Sequence, residues 1–95
     1  MRDVFFKEFK SLMKKDKSLF FVTGDTGYHL VEDIIEDHPE RALNIGVAEQ
    51  NMIGVASGLV NTGFLPVCYA ITNFLVERSF EQIRNDLCLH EYKAI

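Results

Sequence analysis

Short apolar runs alternate along this chain with longer segments whose apolar residues recur at helical spacing. The runs cover residues 19–22, 42–45 and 65–71, and residues 92–95 have the pattern of the opening of a fourth. Helical spacing covers residues 3–15, 29–37, 48–61 and 74–90. Short strands that alternate with helices form a parallel sheet with helices on both faces. The alternation therefore predicts an α/β fold.

The spacing of apolar residues also predicts which side of each helix faces the sheet. The predicted stripes are Phe5, Phe9 and Leu12 in the first helix, Ala48, Met52, Val55 and Leu59 in the third, and Val76, Phe80, Ile83 and Leu87 in the last.

Residues 51–76 contain no charged side chain, and this stretch is long enough to span a bilayer. Asn61, Gly63 and Pro66 interrupt it, and its pattern changes from helical to strand-like. A buried helix, a turn and a buried strand account for it better than a membrane span. Charged Lys7 and Glu8 soon follow the first apolar residues, so no signal peptide is predicted.

The charge balance argues against nucleic acid or an anionic membrane as a partner. The formal net charge is −4, and the one basic cluster, at residues 14–17, lies where the first helix is predicted to end. Cys68 and Cys88 form no CxxC pair, and Cys88 with His90 offers too few ligands for zinc. We therefore expect no metal ligands and a reduced, cytoplasmic protein.

The last residues bear on domain organisation. A parallel sheet interrupted at a new strand keeps an open edge, so we expect residues 1–95 to form an incomplete domain that continues in the natural protein or in a partner chain.

Glu49 is the most prominent candidate for chemistry. It follows the predicted strand that ends at Ile45 and lies in the first turn of a helix. Carboxyl ends of parallel strands line the binding crevice of such sheets, which places a carboxylate there. Periodicity alone favours a simpler role, in which Glu49 complements the helix dipole. No GxGxxG, GxxxxGK[ST], HExxH or GxSxG motif occurs.

The segment Asn-Ile-Gly-Val-Ala-Glu-Gln-Asn-Met at residues 44–52, with its continuation to residue 59, closely resembles the glutamate motif of the transketolase family. That family includes transketolases, deoxyxylulose-phosphate synthases and the beta subunits of 2-oxoacid dehydrogenases. Residues 73–86 are also similar to the family, and Thr23-Gly24-Asp25 matches its turn after the first strand. The three pieces occur in the family's order.

The resemblance implies the first half of a pyrimidine-binding domain with the thiamine-diphosphate-binding fold. It implies that Glu49 hydrogen-bonds N1′ of the cofactor's aminopyrimidine and shares a proton there. The shared proton favours the imino form that removes the proton from C2 of the thiazolium. Burial against a flat ring favours the protonated acid, and we expect burial to prevail over the helix N-terminus once cofactor is bound.

Other residues take roles from the same resemblance. Phe74 is expected to stack on the aminopyrimidine, with Ile45 beside it, although a purely structural role for Phe74 stays open. Ile71 stands where some members carry an aromatic residue, which Tyr69 would partly replace. Asp25 either orients a group in the pocket or caps the following helix.

Arg78 has two interpretations. It either binds a phosphate or carboxylate of the substrate, or pairs on the helix surface with Glu81 or Asp86, and the surface pair is favoured.

The family's motif for the diphosphate and Mg²⁺ is absent, so a separate domain or subunit is expected to bind them in a homo- or hetero-oligomer. The expected function is half of a site that transfers a two-carbon ketol unit between sugar phosphates. A beta subunit of a 2-oxoacid dehydrogenase, a noncatalytic scaffold of the same fold and a standalone binding module are the alternatives.

Overall fold

A computed structural model describes residues 1–95, and its centre is a three-stranded parallel sheet in the order β2-β1-β3. The strands are β1 (Leu19–Thr23), β2 (Ala42–Asn44) and β3 (Leu65–Tyr69). Phe21 of β1 lies opposite Ala42 on one side and Val67 on the other. This arrangement confirms the predicted parallel sheet.

Helices connect and flank the strands. They are α1 (Arg2–Lys15), α2 (Glu32–Asp37), α3 (Glu49–Asn61), α4 (Thr72–Glu77) and α5 (Phe80–Gln82), followed by a π-helical segment (Ile83–Cys88). The chain moves from β1 to β2 on one side, then crosses back to β3 on the other. Right-handed crossovers in opposite directions place α2 and α3 on opposite faces. The predicted helices on both faces are therefore confirmed.

The main core lies between the sheet and the two helices α1 and α2. Its buried members are Phe6, Phe9, Met13, Leu19, Phe21, Val31, Ile34, Ala42 and Val67. An edge-to-face aromatic contact fixes the position of α1 on the sheet. The ring centroids of Phe6 in α1 and Tyr69 in β3 are 4.8 Å apart in a T-shaped arrangement. The opposite face of the sheet is covered by α3, whose Met52, Ile53 and Ala56 are buried.

A single buried arginine joins the end of α1 to the start of β1. Arg41, only 5% exposed, donates from Nη2 to the carbonyl of Met13 and from Nη1 to those of Asp16 and Leu19. Its Nη2 also lies 3.3 Å from Nδ1 of His38. Carbonyls at a helix end have no partner within the helix, so Arg41 supplies donors that this end lacks.

Two predicted stripes were wrong in detail. In α1, Phe5 and Leu12 are 42% and 51% exposed, whereas Phe6 and Met13 are buried. Adjacent helix positions differ by about 100°, so a stripe displaced by one residue has equally good spacing but faces another way. In α3, only Met52 of the predicted stripe is fully buried. The buried side includes Ile53 because the segments after β3 also cover this helix.

The predicted continuous helix over residues 74–90 is also wrong. It is divided at Arg78 and Ser79, and then widens into the π-helical segment. Ser79 is fully buried, whereas Val76 and Phe80 of the predicted stripe are 47% and 64% exposed. The segment bends over α3, where the hydroxyl of Ser57 donates to the carbonyl of Asp86 at 3.1 Å.

The uncharged stretch 51–76 forms most of α3, a turn, β3 and the start of α4, as the sequence predicted in outline. None of the helices combines the length and the apolar character that crossing a membrane requires. Ile95 donates to the carbonyl of Pro66 at 3.0 Å and accepts from the amide of Cys68 at 2.7 Å. The last residue therefore pairs in parallel fashion with β3.

Candidate functional site

The carboxyl ends of β1 and β2 are joined by the side chain of Asn44. Its Oδ1 accepts hydrogen bonds from the amides of Asp25 and Gly46, both at 3.0 Å, and its Nδ2 donates to the Asp25 carboxylate at 3.3 Å. The left-handed backbone of Asp25, with φ of 56°, belongs to this turn. Asp25 therefore positions the turn that precedes Glu49. It does not cap α2, whose N-cap is Val31.

Glycines let the two turns approach the start of α3. Gly46 has φ of 76°, a conformation that other residues adopt at a cost. A Cβ on Gly24 would lie 2.9 Å from Cε of Met52 and 3.4 Å from the carbonyl oxygen of Gly46. The close approach of these backbones fixes where α3 begins, and so where Glu49 lies.

Glu49 is the first residue of α3 and is only 5% exposed. Its Oε2 lies 3.6 Å from Nη1 of Arg78. The free amides at the start of α3 add positive potential near the carboxylate. The negative charge of this buried carboxylate is thus compensated by the Arg78 side chain and by the N-terminal end of α3.

The guanidinium of Arg78 also lies on the ring of Phe74. The Cζ atom is 3.8 Å from the ring centroid, and the two residues are one helical turn apart. Phe74 is half-buried, and the Arg78 side chain is 52% exposed. The favoured surface pair of Arg78 with Glu81 or Asp86 was wrong, because Arg78 turns instead toward Glu49.

Glu49 and Arg78 border an open cleft of about 420 Å³. The cleft is lined by Val47, Ala48, Glu49, Gln50, Asn51 and Arg78. The cleft therefore contains a buried carboxylate and a planar cation that stacks on the half-buried ring of Phe74. A carboxylate close to an aromatic ring suits a flat, hydrogen-bonding ligand.

Two predicted cofactor contacts lie apart from this group. The Tyr69 ring packs against Phe6 on the α1 side of the sheet, and lines with Ile71 a separate apolar cleft of about 650 Å³. Ile45 is half-buried in the turn after β2, where its amide donates to the carbonyl of Thr23. The structure does not bring either side chain to Glu49, so their contact with a cofactor stays a prediction.

No three side chains of His, Cys, Asp or Glu are grouped in a way that would hold a metal ion. Both cysteines are free. Burial raises the pKa of the Cys68 thiol to about 11, whereas Cys88 is exposed. The neutral thiol is the form that burial favours, and only the thiolate reacts with alkylating agents.

We therefore expect iodoacetamide at pH 8 to label Cys88 and spare Cys68 in the folded protein. Mass spectrometry of peptides gives the ratio of labelled Cys88 to labelled Cys68. The same reaction in denaturant is the control, because both thiols react there. Equal labelling in the folded state would contradict the burial of Cys68.

Comparison with known proteins places this geometry in a family. The family profile described as "Transketolase, pyrimidine binding domain" matches residues 1–95. A putative transketolase C-terminal section of Methanocaldococcus jannaschii is 40% identical over 75 residues, which cover 78% of this chain and 24% of the relative. One of the subunits of an apulose-4-phosphate transketolase of Actinobacillus succinogenes is 32% identical over 89 residues, 93% of this chain and 29% of the relative.

A solved structure described as a split-gene transketolase, an inactive beta4 tetramer, superposes on 98% of this chain with a TM-score of 0.86 and 31% identity. This chain spans 31% of that structure, and under a third of both other relatives. The fold, the carboxylate after β2 and the profile match along the whole length agree, and the chain belongs to the transketolase pyrimidine-binding domain family.

Proposed function

We propose that this chain supplies the pyrimidine side of a thiamine-diphosphate site in a transketolase-like transferase. The observation that carries the proposal is the buried carboxylate of Glu49 beside a planar group stacked on Phe74. Enzymes of this family depend on thiamine diphosphate. When bound, the cofactor supplies the carbon nucleophile for transfer of a two-carbon ketol unit.

The residues present fit an aminopyrimidine. Arg78 already holds a flat, N–H-bearing group 3.8 Å from the Phe74 centroid and within 3.6 Å of the Glu49 carboxylate. An aminopyrimidine offers the same two properties, a planar face and polar nitrogen atoms at its edge. Stacking on Phe74 would orient the ring, and the protonated carboxyl of Glu49 would donate a hydrogen bond to its N1′ atom.

Glu49 is proposed to hold and share a proton at that nitrogen. Its burial limits exchange with bulk water, and the turn built by Asn44 and Gly46 fixes the carboxylate in one place. A positioned acid of this kind contributes on the order of 10²–10⁴-fold to a proton transfer. Asp25 acts indirectly in this scheme, through its hydrogen bonds to Asn44.

A partner is proposed to complete the site. The chain carries no diphosphate motif and no metal-ligand cluster, so a separate diphosphate-binding domain or subunit would hold the diphosphate and Mg²⁺. The apulose-4-phosphate transketolase relative is one subunit among others, and the split-gene transketolase is described as inactive as a beta4 tetramer. Both support a homo- or hetero-oligomer in which one kind of chain alone has part of a site.

Two further features belong to the same proposal. The exposed side of Arg78 faces the cleft where a sugar-phosphate substrate would place a charged group. The two free cysteines support a reducing, cytoplasmic setting.

Calorimetric titration with thiamine diphosphate and Mg²⁺ tests the half-site. The protein that contains this chain, the diphosphate-binding partner and their assembly are titrated separately, each at the same concentration. We expect tight binding to the assembly and at least about tenfold weaker binding to either part, because each part lacks contacts that the other supplies. Equal binding by the partner alone, or none by the assembly, would contradict the proposal.

A further inference from the structure

We propose, building on the function proposed above, that the Arg78 guanidinium competes with the aminopyrimidine for Phe74 and Glu49. The guanidinium contacts both groups assigned to the aminopyrimidine. It lies 3.8 Å above the Phe74 ring, and its Nη1 is 3.6 Å from Oε2 of Glu49. Arg78 thus acts as a placeholder that competes with the cofactor.

Competition follows from the geometry of one guanidinium. The same planar group covers one face of the Phe74 ring and reaches Glu49. An aminopyrimidine that stacks on that face and bonds to Glu49 needs the same space. Both groups cannot occupy it together, and the Arg78 side chain must rotate away.

Arg78 is free to move because little holds it. Its side chain is 52% exposed, it ends α4, and its ion pair is with Glu49. A cation–π contact of a half-exposed arginine is weak, and a half-exposed guanidinium 3.6 Å from the carboxylate gains little from the ion pair, so the position of Arg78 over Phe74 is favoured by a modest factor. Only protein in which Arg78 has rotated away can bind the ring. The apparent dissociation constant is therefore the intrinsic constant divided by the fraction of protein in that state.

Displacement gives Arg78 a second position. Once released from Glu49, the guanidinium is available at the edge of the cleft for a phosphate or carboxylate of the substrate. The placeholder thereby couples cofactor binding to the readiness of a substrate-binding cation. The predicted substrate role of Arg78 and its observed pairing with Glu49 are then two states of one side chain.

Replacement of Arg78 by methionine tests the placeholder in the complete assembly. The apparent dissociation constant for thiamine diphosphate, measured by calorimetry with Mg²⁺, is expected to fall by about tenfold. The free ring, 4-amino-2-methylpyrimidine, is titrated in parallel because it carries no phosphate, and its affinity should rise in the same variant. Arg84→Met removes another exposed arginine and should leave both affinities unchanged.

Whether Arg78→Met binds thiamine diphosphate more tightly or more weakly than wild type distinguishes the possible roles of Arg78. A merely structural role for Arg78, or a contact with bound cofactor, would make Arg78→Met bind more weakly, and unchanged affinity would also overturn the placeholder. Raising the salt concentration should reduce the difference between wild type and Arg78→Met, since it weakens the Arg78–Glu49 pair. If neither protein binds thiamine diphosphate, the proposed function fails and the placeholder with it, whereas binding without tightening overturns the placeholder alone.

Discussion

Replacing Glu49 by glutamine is expected to slow activation of bound thiamine diphosphate by about 10²–10⁴-fold. Glutamine keeps the shape and a hydrogen bond but transfers no proton. The measurement is the rate at which the C2 proton of the bound cofactor exchanges with deuterium, followed by NMR after an acid quench. This readout needs no knowledge of the substrate.

Glu81→Gln is the matched control for this prediction. Glu81 is an exposed carboxylate on α5, so its loss should leave the exchange rate within about twofold of wild type. The affinity of Glu49→Gln for the cofactor should change less than its exchange rate, because stacking on Phe74 is retained. Near-normal exchange in Glu49→Gln would remove Glu49 from the proposed role.

Replacing Arg41 by methionine is expected to destabilise the fold by about 3 kcal/mol. Methionine has similar length and no donor. Its introduction leaves the buried carbonyls of Met13 and Leu19 without the guanidinium that now satisfies them. Because those carbonyls join α1 to β1, the loss acts on the main core. Urea unfolding of the assembled protein and of the variant measures the difference in free energy.

Arg84→Met provides the comparison here as well, since Arg84 is exposed and should change stability by less than about 0.5 kcal/mol. Arg41→Lys restores the charge but not the fork that reaches separate carbonyls, so we expect only part of the stability to return. A loss below about 1 kcal/mol for Arg41→Met would show that water replaces the guanidinium without cost.

The sheet was predictable because its signal is local. Runs such as 19–22 have strand length and are closed by glycine, and parallel pairing follows from the helices between them. The side of α1 that faces the core was not predictable, since phenylalanines at positions 5 and 6 allow two stripes of equal quality. Only packing against Phe21 and Tyr69 selects Phe6.

The position of Glu49 was predictable, but its surroundings were not. The strand that precedes it and the helix that follows it are both visible in the sequence, and they place its carboxylate at the carboxyl edge of the sheet. The pairing of Glu49 with Arg78 joins residues that are distant in sequence. It also depends on the break after α4, and the regular spacing of apolar residues gave no sign of that break. Phe74 and Arg78 at helical i,i+4 spacing were the available signal for their stacking. The role of Asn44 was missed, although an asparagine directly after a strand favours turn-forming hydrogen bonds.

Glu49 and Phe74 are proposed to hold the pyrimidine ring of thiamine diphosphate. A crystal structure of the complete assembly with thiamine diphosphate and Mg²⁺ tests this proposal most directly. We expect the aminopyrimidine to stack on Phe74, with its N1′ atom within about 3.2 Å of the Glu49 carboxyl group and Arg78 displaced from the ring. A pyrimidine bound elsewhere, with Arg78 still between Phe74 and Glu49, would contradict it.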